Sequence, residues 1–325
     1  MCVLTEKKNP VSILTYGGGA NYWRSVIESA SSSFVVTSCK DRRTMCDAYS
    51  GVTVLVSHQF PDRLLDRLPD LRWIQCLSVG VDALIDNPKI PDSVSITNTR
   101  GLYGDAVAEY SIWAMITLFR GFHRVIANQN KRRWEQIFGH GLADKHIGIV
   151  GLGDVGKNIA QLARAHSMQV TGFVRDPGAV MPSDTVDFVV SAEQLAEVVP
   201  DLDVLILSVP LTNQTRGMVN RNLISKMNPA AIIINVSRAA LIDGSAVSDA
   251  VANGQIAGAA LDVFEKEPLP RWSGLWKTPN LIVTPHTSSM SAEYKTRIAE
   301  LLTENVLRFT SGRPLLNVVD RSKGY

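Results

Sequence analysis

Gly151, Gly153 and Gly156 stand in GxGxxG spacing inside GIVGLGDVGKNIAQLA, directly after an apolar run and at the head of an amphipathic stretch. That pattern suits a dinucleotide pyrophosphate. Gly151 permits a tight turn, Gly153 lets backbone approach the phosphates, and Gly156 allows close packing of helix on strand, while N–H groups of Asp154 and Val155 face the anion. The end of the next apolar run selects the nucleotide, because a carboxylate there binds a ribose 2′-hydroxyl and repels a 2′-phosphate. In VTGFVRDP, Val174 takes that place and Arg175 follows, so a guanidinium is available for a phosphate and NADP is favoured over NAD. A register slipped by two would bring Asp176 there and reverse the preference. A second glycine cluster, Gly17 to Gly19, also follows an apolar run, but its spacing does not continue and it reads as a flexible loop.

Chemistry of this kind needs a rigid sheet beneath it. Val11–Leu14, Phe34–Val36, Val52–Val56, Trp73–Cys76 and Val94–Thr97 read as short strands separated by helical stretches, which predicts a parallel sheet covered on both faces. DAVAEYSIWAMITLFR, Asp105 to Arg120, is apolar around most of its circumference and predicts a core or interface helix. A second alternation follows, with strands expected at Ile147–Val150, Val170–Val174, Val204–Val209, Ile232–Val236, Ile256–Ala260 and Leu281–Thr284, six strands making a doubly wound sheet. A final helix is expected over residues 291–310, with no internal repeat and no low-complexity segment.

Three further segments carry reactive side chains: IINVSRAALID from Ile233, ALDVFEKEPLP from Ala260 and VTPHTS from Val283. In this order behind the glycine turn they resemble the signature segments of the D-isomer-specific 2-hydroxyacid dehydrogenase family, and the likeness covers nearly the whole chain. It implies an α/β fold of two doubly wound parallel-sheet domains, a Rossmann dinucleotide-binding domain (102–285) inserted into a flavodoxin-like substrate domain (1–101 and 286–325). It also implies a homodimer formed across the Rossmann domains, and Arg238, Glu267 and His286 as the catalytic set. Their types suit the work, and all three follow strand ends, where open α/β sheets bind ligands. The planar fork of Arg238 can bind a substrate carboxylate and polarise a keto oxygen. An imidazole at His286 can give a proton to that oxygen as hydride arrives, and Glu267 would orient it and keep it protonated, which predicts reduction that slows as pH rises. Taken singly, each residue also has an ordinary reading, as a surface ion-pair arginine, a loop carboxylate or a capping histidine.

The same resemblance implies that Ser208, Val209, Pro210, Val236 and Ser237 line the cofactor, with Asp262 near its carboxamide and Thr215 beside it. In LSVGVDAL it implies that backbone N–H groups of Val79 and Gly80 meet the substrate anion. Two positions depart from the family pattern: Ala239 replaces the usual glycine after the arginine, and Gly104 stands where a cofactor-touching threonine is common. Tyr103 is a candidate wall of the substrate pocket or a packed core tyrosine. Trp134, Trp272 and Trp276 read as core or interface anchors, and His58, His123, His140, His146 and His166 as surface or structural histidines.

Composition narrows the classes. With 33 basic against 31 acidic residues, 45% hydrophobic and 20% charged, the 325-residue chain is ordinary globular protein with no demand for a polyanionic partner. Lys131 to Arg133, the only dense basic run, reads as a solvated helix face, so nucleic acid is not expected. Neither a leader pattern nor a run of about 18 apolar residues is found, so no membrane association and a cytoplasmic location are expected. Cys2, Cys39, Cys46 and Cys76 show no CxxC spacing and no adjoining histidine cluster, which predicts no metal and a reducing compartment. The expected activity is reversible NAD(P)H-dependent reduction of small 2-keto acids, glyoxylate or hydroxypyruvate among them, to D-2-hydroxy acids. Phosphite, formate and phosphoglycerate enzymes share the scaffold, and the absence of an added regulatory domain after Tyr325 weakens the last of these. The alternative is a dinucleotide-sensing, corepressor-like interaction protein, against which the complete catalytic set speaks.

Overall fold

The computed structural model describes residues 11–31, 34–46, 49–85, 87–180 and 182–324, so Cys2 and Tyr325 lie outside the described residues. Its contacts divide the chain into two units, residues 1–102 with 292–325, and residues 103–291.

The first unit carries five parallel strands, β1 (Ser12–Tyr16), β2 (Val35–Cys39), β3 (Val52–Ser57), β4 (Trp73–Cys76) and β5 (Ser95–Thr97), in the order β2-β1-β3-β4-β5. β1, β3 and β4 are almost wholly buried, which is why their sequences are continuous apolar runs rather than alternating ones. Ala20–Ala30 and Tyr294–Ser311 are helices that pack on each other, burying Trp23 and Ile27 from one and Ile298, Leu302 and Val306 from the other. The Gly17–Gly19 segment, expected as a flexible loop, is a hydrogen-bonded turn: Gly17 N–H donates to Cys39 O at 2.9 Å and Ala20 N–H to Gly17 O at 3.0 Å, feeding β1 directly into its helix.

The second unit contains β6 (His146–Val150), β7 (Gln169–Val174), β8 (Phe188–Ser191), β9 (Val204–Leu207), β10 (Ile232–Asn235), β11 (Gly258–Leu261) and β12 (Leu281–Val283), all parallel, in the order β12-β11-β10-β9-β6-β7-β8. The order reverses between β6 and β9, the crevice where such sheets bind nucleotides. This sheet has seven strands where the sequence predicts six. β8 escapes notice because FVVS is a partly exposed edge strand without a long apolar run. Two apolar cores cover the two sheet faces, one including Leu205, Ile233 and Val247, the other Ile149, Ile159, Met115 and Ile234.

Trp134 and Trp272 correct the core half of the reading as core or interface anchors. They are 96% and 83% exposed, because each sits in a segment without regular structure that no sheet or helix covers. Trp276 is half-exposed, its indole N–H donating to Pro270 O at 2.9 Å. No helix of the described residues is long and apolar enough to cross a membrane.

A buried polar chain ties the first unit together. Trp73 Nε1–H donates to Thr97 Oγ1 at 2.8 Å, Thr97 donates to Gln75 Oε1 at 2.9 Å, and Asn305 Nδ2 donates to the same oxygen at 3.0 Å. Asn305 also donates to Leu316 O at 3.1 Å and accepts from Leu316 N–H at 2.8 Å, stapling the segment after the last helix. Removing that amide takes the side-chain partner from both backbone groups of half-buried Leu316 and one of two donors from Gln75 Oε1, with each Leu316 bond worth about 1 kcal/mol. Asn305→Ala should therefore destabilise this unit by about 2 kcal/mol, measured as a lowered urea midpoint with an unchanged denaturant slope.

Candidate active site

At the end of β6, Gly151 takes φ +96, a conformation that disfavours any side chain, and its N–H donates to Phe173 O at 2.8 Å. The helix Asp154–Ala165 begins three residues later, and its first recorded bond from the glycine turn runs from Lys157 N–H to Gly153 O at 3.0 Å. Helix geometry leaves the preceding N–H groups, of Asp154, Val155 and Gly156, facing outward at the positive end of the helix. A Cβ on Gly156 would overlap the Gly151 carbonyl oxygen, so glycine is required where the helix crosses the turn. Ser208, just beyond β9, shares its hydroxyl proton between Gly151 O (2.9 Å) and Val150 O (3.1 Å), which fixes the turn at the crevice between β6 and β9. These residues fit a dinucleotide pyrophosphate: a tight backbone, open donors and no side chain in the way.

Around this cradle, Ser237 Oγ donates to Val209 O, joining the chain ends of β9 and β10. Thr215 donates to Pro210 O at 2.8 Å and accepts from Thr212 N–H at 2.8 Å, closing the loop after β9. Gly104 heads the helix Gly104–Phe119, and a Cβ there would meet the side-chain ends of Asn158 and Asp154, which would have to shift. β7 ends at Val174 and Arg175 follows it. Asp176 turns back on its own backbone, accepting from Gly178 N–H at 3.1 Å as the cap of a short turn.

Arg238, Glu267 and His286 follow β10, β11 and β12, three strands that lie side by side. Asn235, fully buried at the end of β10, accepts from Ser237 N–H at 3.1 Å and donates to Arg238 O at 2.9 Å, which brackets the arginine turn. Arg238 Nη1–H donates to Ser237 O at 2.8 Å, and half-buried Val236 completes the turn. Glu267 Oε1 accepts from Phe264 N–H at 2.9 Å, and its Oε2 meets His286 Nδ1 at 2.8 Å. Since a carboxylate can only accept, Nδ1 carries the proton and Nε2 is left for chemistry. His286 and Glu267 are 50% and 37% exposed at their side chains, so the pair is open to a small molecule. Asp262, expected near a carboxamide, is fully buried beneath this pair, its carboxylate accepting from Thr287 N–H and Ser288 N–H, both at 2.9 Å. The structure thus brings Glu267 and His286 into contact and sets Arg238 at the end of the strand beside that of Glu267. Sequence reading overlooked Asn235 and the donors Thr287 and Ser288. The one available signal was a polar residue closing an otherwise apolar strand, IIIN.

In the first unit, the loop after β4 holds Val79 and Gly80. Thr99 N–H donates to Ser78 O at 3.2 Å, Asn98 Nδ2 to Val79 O at 2.9 Å and Ser78 Oγ to Gly80 O at 3.1 Å. Three successive carbonyls of this loop are thus tied down within the unit. Tyr103 is buried at the head of the helix Gly104–Phe119. His146 and His123 are structural: each ring bonds two groups of its own unit, His146 to Asp201 O and Thr171, His123 to Thr117 O and Asn280.

Residues 112–288 match the family model of the D-isomer specific 2-hydroxyacid dehydrogenase NAD binding domain. The chain is 31% identical to a glyoxylate reductase of Thermococcus litoralis over 284 residues, covering 83% of both chains. It superposes on a D-isomer specific 2-hydroxyacid dehydrogenase of Xanthobacter autotrophicus Py2, solved with NADPH and MES, with a TM-score of 0.84 at 28% identity, over 97% of this chain and 100% of that one. An NADPH-dependent glyoxylate/hydroxypyruvate reductase of Sinorhizobium meliloti, solved with NADP and sulfate, gives a TM-score of 0.85 at 26% identity, again over 97% and 100%.

The overlap at Gly156 makes a direct prediction. Gly156→Ala should weaken NADPH binding by about tenfold or more, read as a shift in a fluorescence titration, because the helix must back away from the turn.

Proposed function

This chain belongs to the D-isomer-specific 2-hydroxyacid dehydrogenase family, and we propose that it reduces small 2-keto acids of the glyoxylate and hydroxypyruvate kind to D-2-hydroxy acids, with NADPH as its preferred reductant. The observation that carries the reading is the 2.8 Å contact between Glu267 and His286, beside the strand that Arg238 follows and on the sheet that bears the glycine turn.

In this scheme the unit of residues 103–291 binds the dinucleotide, and backbone N–H groups of Val79 and Gly80 meet the substrate anion. The bound dinucleotide supplies hydride to the keto carbon. Arg238 holds the substrate carboxylate through its planar fork and draws electron density toward the keto oxygen. His286 gives the Nε2 proton to that oxygen, while Glu267 grips Nδ1–H and stabilises the imidazolium that precedes transfer. The opposite direction runs through the same groups, with Nε2 taking the proton from the hydroxyl.

The preference for NADPH is supported by Arg175 directly after β7 and by Asp176, whose carboxylate is engaged by Gly178 N–H rather than presented to a ribose. Relatives of known structure carry NADPH or NADP. A second copy of the chain is the proposed partner. The apolar face formed by Ile112, Trp113, Ile116, Phe122, Val125 and Ile126 would be covered in such a homodimer.

The test is oxidation of NADPH and NADH over a panel of 2-keto acids. His286→Asn should lower kcat by about a thousandfold, since it deletes the proton donor, and Arg238→Lys should lower kcat/KM by about 30-fold or more through the lost fork. Arg175→Ala should erase the NADPH preference. Reduction consumes a proton, so its rate should fall as pH rises while oxidation of the hydroxy acid speeds up. Full turnover in His286→Asn would end this mechanism.

A further inference from the structure

His286 sits at φ +54, in the left-handed region that is costly for a non-glycine residue and persists only where its surroundings dictate it. Three consecutive N–H groups supply that dictation, and all three reach Asp262. His286 N–H is shared between the backbone oxygens of Asp262 at 2.9 Å and Thr284 at 3.0 Å, and Thr287 and Ser288 donate to the Asp262 carboxylate. The same carboxylate oxygen that takes Thr287 N–H lies 2.6 Å from Thr284 Oγ1, and Thr284 Oγ1 lies 2.7 Å from Tyr110 Oη.

Each hydroxyl has one proton to give, and the Asp262 carboxylate has none. Thr284 therefore donates to Asp262, and Tyr110 donates to Thr284. We propose that Tyr110 and Thr284 are positioning residues for His286, the outer links of a directed chain Tyr110 to Thr284 to Asp262 that fixes the segment bearing the proton donor. The proposal rests on the reading of His286 given above.

Two features make Tyr110 suited to the part. Burial, with the charge of Asp262 behind it, pushes its phenol above the usual range, so it remains a donor. Its ring is steadied by Trp113, with centroids 5.4 Å apart. It also projects from the helix Gly104–Phe119, whose first residue abuts Asp154 and Asn158 on the helix that opens the phosphate cradle. One rigid element thereby references both the cradle and the proton donor, a placement that a contact serving only stability would not require.

The experiment compares Tyr110→Phe, Thr284→Val and Thr284→Ser with the parent in the full chain, by two readouts. One is amide exchange of residues 284–288 in the absence of substrate, and the other is kcat and KM for NADPH-dependent reduction of glyoxylate. Thr284→Val should speed exchange at Thr287 and Ser288 at least tenfold and lower kcat about 30-fold, with KM for NADPH within twofold. Tyr110→Phe, which removes a single oxygen and leaves the ring packing intact, should shift both readouts about fivefold. Thr284→Ser, which keeps the hydroxyl, should stay within twofold of the parent. If Thr284→Val does not fold, Tyr110→Phe alone decides. Unchanged exchange and kcat in Tyr110→Phe, or a loss in Thr284→Ser equal to that in Thr284→Val, overturns the proposal. A parent protein that reduces no 2-keto acid would sink the functional reading instead, and the exchange data would still judge the chain of hydrogen bonds.

Discussion

A carboxylate sealed from water must find donors or give up its charge, and the donors to the Asp262 carboxylate, Thr284, Thr287 and Ser288, all come from the segment that carries His286. The burial of that one group converts a flexible connection after β12 into a fixed platform. Desolvation makes the arrangement stringent: a displaced loop would leave an unpaired carboxylate inside the protein, at a cost of several kcal/mol, so the loop has essentially one position. His286 inherits that position, including a backbone conformation it would not choose alone.

The parallel sheet does the remaining alignment. Because β6 to β12 all run the same way, the chain after each strand emerges at one edge, and the glycine turn, the Ser208 and Arg238 turns, Asp262 and His286 are delivered there together. The distance along the chain between Gly151 and His286 is irrelevant to this convergence. What the sheet cannot do is set side-chain direction to within a few tenths of an ångström, and buried amides and carboxylates take over at that scale. Asn235 brackets the arginine turn as Asp262 brackets the histidine turn, each from the residue at or just past a strand end.

Much of this was legible in sequence because the signals are local. A run such as VLIL between turn-forming residues announces a strand buried on both faces, and three glycines at fixed spacing announce a turn that no other residue can make. β8 was not legible, since an edge strand half in water has only a short apolar run, FVV, to declare it. Nor was the solvent exposure of Trp134, because a tryptophan in an irregular segment looks the same in sequence whether or not something covers it. The hydrogen bonds that hold the site were hidden for a different reason. Asp262 meets Thr287 and Ser288 across about 25 residues and Tyr110 meets Thr284 across 174, and side-chain pairings between distant segments leave no periodicity to read. Resemblance pointed to Arg238, Glu267 and His286 but not to the buried groups that hold their segments.

That division of labour between reacting and supporting groups has an energetic rationale. The Glu267–His286 pair is half in water, where an ion pair contributes little to folding, so stability alone gives no reason for the two side chains to face each other. Their neighbours Asp262 and Asn235 are wholly buried and bond backbone, where an unsatisfied group is expensive and geometry is therefore enforced. Stringent interactions thus define the backbone, and the weakly held pair at the surface is left open to solvent. A site built the other way round, with the imidazole buried and its supports exposed, would hold its proton donor out of reach and leave its direction undefined.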